Sequence, residues 1–474
     1  MAAIDVRDPR TGRVDFRFSA ATASETAAIA RRLREGQKGW EALGLEGRCA
    51  AMHAWAAALQ RHRDAITAAD ARDTGGGQVS QVAVDMTIGI IRATCATAPA
   101  TIAQARRHGQ SPAFPHVSYD TILKPIGLVG VISPWNAPTM LSMMRSIAPL
   151  VAGNAVLVKP SEVTPRFVAP LRASIEDVPA LAGVLDFVLG AADTGAALIE
   201  AADLINFCGS VANGRRVAEA CARRLIPCEL ELGGKDPLIV TETANLDDAV
   251  SATVRGALTS AGQVCFSVER VYVQRDVHDA FVARLAERCA RLQINHPDPA
   301  HGEIGPFISP VQAAIVDAQL ADAVAKGARI VCGGPSFSLD GGRWMAPTVV
   351  TGVTHDMALM REETFGPVIP VMAYVDADEA VALANDTAFG LSAAVIAGTE
   401  AEASAIAARI DAGNVSVQDA FLTFAAAPAE ADSFGVSGMG GRRSGVLRYL
   451  RRQALLTNSR KPQCLTEKPL SATA

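Results

Sequence analysis

LVGVISPWNAPTMLSMMRSIAPLVAGNAVLVKPSE, residues 128–162, decides the fold. Two short β-branched runs, Leu128–Ile132 and Ala155–Val158, flank a stretch long enough to cross over as a helix. Similar runs recur at Leu185–Val188, Leu204–Phe207 and Leu238–Val240, each beside a segment able to make the same crossover. This alternation predicts an α/β chain, an open and mostly parallel sheet with helices on both faces. A second strand-and-helix series occupies Val268–Val273, Ala328–Cys332, Val368–Tyr374 and Ala393–Ile396. The division between the two is placed at Gly233-Gly234, where a glycine pair follows a strand.

Working outward, Ser19 to Arg72 carries apolar residues at helical spacing (Ile29, Leu33, Met52, Trp55, Leu59, Ile66), which predicts two or three amphipathic helices ended by Gly75-Gly76-Gly77. Val82–Thr101 is again helical, Ser118–Leu123 alternates like a hairpin arm, and Gln453–Arg460 predicts one last strand.

The chain has 474 residues, enough for two or three domains, and is 49% apolar and 20% charged, as globular proteins are. A net charge of −5 with no basic block leaves nothing to neutralise a nucleic-acid backbone. No uninterrupted apolar run reaches the roughly 18 residues of a membrane span, and Met1–Arg17 is charged where a signal peptide would be apolar. A cytoplasmic protein with no membrane partner is expected. Nine cysteines form no C-x-x-C pair, no H-E-x-x-H occurs, and His296 and His301 read as surface, so neither a disulfide framework nor a bound metal is expected.

Candidates for chemistry then stand out by position. Cys265, in Gly262-Gln263-Val264-Cys265, offers a nucleophile suited to a carbonyl at neutral pH, although any one of nine cysteines is more often buried filler. Glu231 ends a strand just before Gly233-Gly234, where a carboxylate can act as general base on a water; alone, it reads as an exposed turn charge. Asn136 follows the strand Leu128–Ile132 in Ser133-Pro134-Trp135-Asn136, placed to donate to an oxyanion or merely to turn the loop. No G-x-G-x-x-G occurs. Two other segments can replace that dinucleotide fingerprint: Lys159-Pro160-Ser161-Glu162, a cation and a carboxylate able to grip ribose hydroxyls, and Gly209-Ser210 with Gly214, opening a helix whose amides can hold a pyrophosphate. The Gly209–Gly214 spacing also suggests a P-loop, but Arg215-Arg216 supplies neither its lysine nor its hydroxyl.

Taken in order, these segments together with Glu362-Glu363-Thr364-Phe365-Gly366-Pro367 resemble the aldehyde dehydrogenase superfamily over nearly the whole chain, with a looser match at Asn385 and Phe389-Gly390-Leu391. The resemblance implies a Rossmann-like cofactor domain (1–110 and 125–233), an α/β catalytic domain (234–440) and a small β oligomerisation arm (111–124 and 453–466) that makes a homodimer or homotetramer. It implies that Cys265 attacks a small-molecule aldehyde, that Asn136 and the Cys265 N–H hold the alkoxide, and that Glu231 activates the water that frees the acid. Trp135, Lys159, Ser161, Glu162, Gly209, Ser210, Gly214, Leu232, Glu363 and Phe365 are implied to bind NAD, with NADP left open; Glu162 would repel a 2′ phosphate. Alternatives are a CoA-acylating semialdehyde dehydrogenase, which typically lacks a carboxylate at the Glu231 position, and a non-catalytic NAD-binding structural homologue, which has no need to keep Asn136, Glu231 and Cys265 together.

Departures from the pattern fall at Asn213, apolar in the family, at Arg145, more often Lys, and at Gly435–Gly445 with the unusual 425–432 before it. Phe421, Phe424 and Trp135 are candidate walls of an apolar tunnel, while Arg442 and Arg443 keep a dicarboxylic semialdehyde in view.

Overall fold

The computed structural model describes residues 3–76, 78–423, 431–439 and 445–461. An amino-terminal hairpin, β1 (Ala3–Arg7) and β2 (Val14–Ser19), leads into helices Ala23–Ala42, Gly44–Arg61, Arg63–Thr74 and Gln78–Ala105. The first opens with a capping box between Thr22 and Glu25, and the third ends on Gly75 at φ 81°, a left-handed cap that favours glycine. Trp40 and Trp55 are buried beneath them, their indole N–H groups donating to the Leu150 carbonyl (2.8 Å) and Ser174 Oγ (3.1 Å). The helix Gln78–Ala105 is, by length and composition, apolar enough to cross a membrane, which the sequence reading did not foresee. Its Val84, Ile88, Ile91 and Cys95 join the core of the first sheet.

The arm strands β3 (His108–Gln110) and β4 (Val117–Pro125) come next. Five parallel strands follow: β5 (Leu128–Ile132), β6 (Ala155–Lys159), β7 (Leu185–Phe187), β8 (Leu204–Cys208) and β9 (Cys228–Glu231). Chain direction across the sheet reverses between β5 and β8, so their carboxyl ends border a crevice of the kind that binds ligands in doubly wound sheets. Register fixes what lies there: Ile132 pairs with Lys159 and with Phe207, and Cys208 pairs with Glu231.

The chain then enters a seven-stranded sheet through β10 (Asp236–Val240), β11 (Val268–Gln274) and β12 (Arg329–Cys332). A small hairpin, β13 (Phe337–Leu339) and β14 (Gly342–Trp344), precedes β15 (Thr348–Thr351), β16 (Val368–Tyr374), β17 (Ser392–Ile396) and β18 (Asn414–Val417). The sheet order is β12-β15-β16-β11-β10-β17-β18, parallel except for β12. β19 (Gly438–Met439) returns to pair with β9, and β20 (Leu450–Asn458) pairs antiparallel with β4 along nine residues, completing the arm.

Some expectations differ from what the fold shows. His296 is mostly covered, its ring edge-on to Trp344 at 5.6 Å, so it is not the exposed loop residue it reads as. The turn of the amino-terminal hairpin packs against the β13–β14 hairpin and the loop at Asn295: Arg10 donates to Asn295 Oδ1 (2.9 Å) and stacks over Trp344. Gly77, Phe424, Arg442, Arg443 and the arm residues after 461 lie outside the described residues.

Candidate active site

The carboxyl edge of the first sheet faces the amino edge of the second. From the first sheet come the loops leaving β5, β6, β8 and β9; from the second come the loops entering β10, β11 and β16, which hold Gly233–Lys235, Cys265 and Glu363–Phe365.

The turn before Cys265 is strained by design. Ser260, Ala261 and Gly262 take φ of 52°, 55° and 71° in succession, and a Cβ on Gly262 would overlap the Gly366 carbonyl. Left-handed backbone costs a non-glycine residue about 1–2 kcal/mol, so something must hold it. Buried Gln263 does: Nε2 donates to the Ser260 and Pro306 carbonyls (3.2 and 3.1 Å), while Oε1 accepts from the Ile308 N–H (3.0 Å). Asn136, also buried, donates Nδ2 to the Gln263 carbonyl at 3.0 Å, bringing the predicted oxyanion donor onto the turn that carries the thiol.

Cys265 is half-buried against Phe421, with Val264, Phe266 and Leu391 in the same apolar cluster; the Phe266 and Phe421 rings are 4.9 Å apart. Burial, then the nearby Cys208, Glu231, Glu363 and Asp236, pushes the thiol well above its ordinary pKa. The resting sulfur is therefore protonated at neutral pH and needs a base. Glu231 accepts from Arg145 at 2.5 Å. Burial alone would lower the Arg145 pKa, but Glu231, Cys208 and Tyr449 reverse that and raise it, keeping a permanent cation on the carboxylate.

On the cofactor side, Lys159 Nζ donates to Glu162 at 3.2 Å, and Ser161 Oγ accepts from the Val163 N–H at 3.2 Å. Ser210 caps the helix Val211–Arg223, whose positive end faces the same edge. A Cβ on Gly209 would lie 2.8 Å from the Phe207 ring, and one on Gly214 would meet Leu232 at 2.5 Å, so close backbone packing there requires glycine. Trp135 stands edge-on to Phe365 at 5.4 Å, and Phe266 is the ring that joins Phe421. Glu363 lies on Gly233 and accepts from the Gly234 N–H at 3.3 Å. Burial, then Glu269, pushes its carboxyl up to about 8. A cation and carboxylate pair, a capped helix amino end and glycines where side chains would collide are the donors and cradle a dinucleotide requires, so these residues fit NAD or NADP.

The structure brings the residues singled out in the sequence to one pair of facing edges, and what fastens them there was not read from the sequence. The Arg145–Glu231 pair and the buried Lys235–Glu269 pair, at 2.9 Å, went unpredicted. Asn385, the looser motif match, serves structure, donating to the Arg409 carbonyl and accepting from the Asp411 N–H.

A family model described as "Aldehyde dehydrogenase family" matches residues 1–454. A Mycolicibacterium smegmatis protein provisionally named succinate-semialdehyde dehydrogenase [NADP(+)] is 36% identical over 456 residues, 94% of this chain and 87% of that protein. The structure of a provisionally assigned aldehyde dehydrogenase, PutA, from Anabaena variabilis shares 44% identity at a TM-score of 0.94, covering 99% of this chain and 100% of that one. Betaine aldehyde dehydrogenase from Staphylococcus aureus, in complex with NAD+, shares 28% identity at a TM-score of 0.91, covering 99% and 95%.

Proposed function

The chain belongs to the aldehyde dehydrogenase family, and from that premise we propose that its NAD(P)-dependent aldehyde oxidation runs through a thioester on Cys265 that is released by water. The observation that carries this reading is the meeting of Asn136 with the thiol-bearing turn at 3.0 Å, beside the Glu231 carboxylate that acts on the same sulfur. Cys265 gives its proton to the Glu231 carboxylate, which passes it to solvent, and the sulfur adds to the aldehyde carbon; the Asn136 amide, turned from Gln263, and the Cys265 N–H hold the alkoxide. A bound nicotinamide supplies the hydride acceptor. Glu231, anchored by its ion pair with Arg145, takes a proton from the water that cleaves the thioester.

Cys265→Ser is expected to abolish reduced-cofactor formation, and Glu231→Gln to slow steady turnover by about 10²–10⁴-fold, the range of general-base catalysis. Reduced nicotinamide still forming at the normal rate with Cys265→Ser would overturn the proposal. Retention of Glu231 supports hydrolysis over transfer to CoA, and turnover that required added CoA would reverse that.

Lys159 and Glu162 favour NAD, because a carboxylate repels a 2′ phosphate, whereas the M. smegmatis relative is named for NADP(+). Phe266, Phe421 and Leu391 around the sulfur favour an apolar aldehyde, and comparing hexanal, benzaldehyde and succinate semialdehyde as substrates tests this. The arm sheet, with Leu455 and Leu456 exposed on β20, supports a homodimer or homotetramer, to be read by analytical ultracentrifugation.

A further inference from the structure

Lys235 lies four residues after Glu231 and Glu269 four residues after Cys265, and the two meet, both buried, where the adjacent strands β10 and β11 begin. Glu269 has three partners and all are donors. Its Oε2 accepts from Lys235 Nζ (2.9 Å) and the Thr364 N–H (2.8 Å), and its Oε1 accepts from the Phe365 N–H (2.7 Å). Around it, Lys235 also donates to Thr364 Oγ1 (2.7 Å), which donates to Gln319 Oε1 (2.9 Å). Gln319 Nε2 donates to the Glu363 carbonyl (3.1 Å), and Gln312 Nε2 donates to the Thr364 carbonyl (2.8 Å).

The backbone of Glu363–Phe365 is thus held by side chains. Phe365 takes φ 53°, which a non-glycine residue keeps only when its surroundings impose it. The two side chains so placed are Glu363, pressed onto Gly233, and Phe365, edge-on to Trp135.

We propose that Glu269 is a positioning residue for cofactor binding: one carboxylate, gripping two successive N–H groups, sets Glu363 and Phe365 against the nicotinamide end of the dinucleotide. The inference rests on the reading of the Glu363 loop as cofactor-facing. Glu269 touches neither cofactor nor substrate; it acts through the loop. Because all its partners donate, Glu269→Gln turns an amide N–H₂ toward an N–H or an ammonium, and the loop loses its register with little change in volume.

The test measures NAD affinity by titration calorimetry alongside the rate at which iodoacetamide alkylates Cys265 without cofactor. For Glu269→Gln we expect the NAD Kd to rise about tenfold or more, with the alkylation rate within about twofold of the parent, since nothing at the sulfur changes. Gln312→Ala, which removes only the half-buried brace on the Thr364 carbonyl, serves should Glu269→Gln not fold; its Kd is expected to rise by about threefold. Circular dichroism checks the fold of each variant. Glu363→Gln separates the two levels of the argument. A raised Kd for Glu363→Gln beside an unchanged Kd for folded Glu269→Gln overturns the positioning role and keeps the cofactor reading. Unchanged Kd in both overturns both. A fall in alkylation rate equal to the rise in Kd would make Glu269 a general structural prop, and that also overturns the proposal.

Discussion

The two edges that form the site are built on opposite terms. On the first sheet, side chains stand where parallel strands end, and strand register alone levels Lys159, Phe207 and Leu230, with Glu231 one step further on opposite Cys208. Their contacts are local and partly wet: Lys159 pairs with Glu162, a carboxylate 41% exposed. On the second sheet, the loops enter the strands, no register reaches them, and their backbones are held by buried charge and amide groups: Lys235, Glu269, Gln319 and Gln263 are all buried. An edge placed by a sheet tolerates loss of one side chain, whereas an edge placed by buried polar groups does not.

The largest effect expected from this contrast is at Lys235, whose side chain is fully buried. Lys235→Met leaves the Glu269 carboxylate buried without its cation, which costs about 3–5 kcal/mol. A loss below about 1 kcal/mol in denaturant titration would break the comparison. An intermediate effect is expected at Asp236, the first residue of β10, where burial pushes the carboxyl up to about 8 against the hydrogen bond from Ser392. The folded state holds this proton while the unfolded chain releases it near its ordinary 3.8. Stability from this group therefore falls as pH rises from about 4 to 8 and is level above that. Asp236→Asn should flatten that decline, seen as a smaller drop in Tm between acid and mildly alkaline buffer; an unchanged slope would sink the assignment. The smallest effect is expected on the first edge. Glu162→Gln should change stability by less than about 1 kcal/mol, as exposed ion pairs do, while moving the ratio of NAD to NADP turnover toward NADP.

What could be read in the sequence follows the same division. The strands β5, β6 and β8 show as apolar runs because burial on both faces demands them, and Cys265, Asn136 and Glu231 stand in motifs at strand ends. Nothing local announces that Glu269, within β11, faces Lys235 and the N–H groups of residues nearly a hundred positions later. Periodicity reports which face of an element is buried and says nothing about which charge awaits it there. For the same reason, the grip of Arg145 on Glu231 was visible only as a substitution, and the docking of the first hairpin on β13–β14 and the Asn295 loop was not visible at all. Phe266 escaped because it follows the cysteine directly and no spacing marks it; its role shows only once Phe421 is beside it.

The pairing of β20 with β4 has a consequence in time. The ribosome delivers β4 long before β20, so during most of synthesis its only arm partner is the three-residue β3, and one whole side of its backbone is open to water. An assembly built on the completed sheet would have to wait until translation has passed Asn458, kept apart from the folding of the two large sheets.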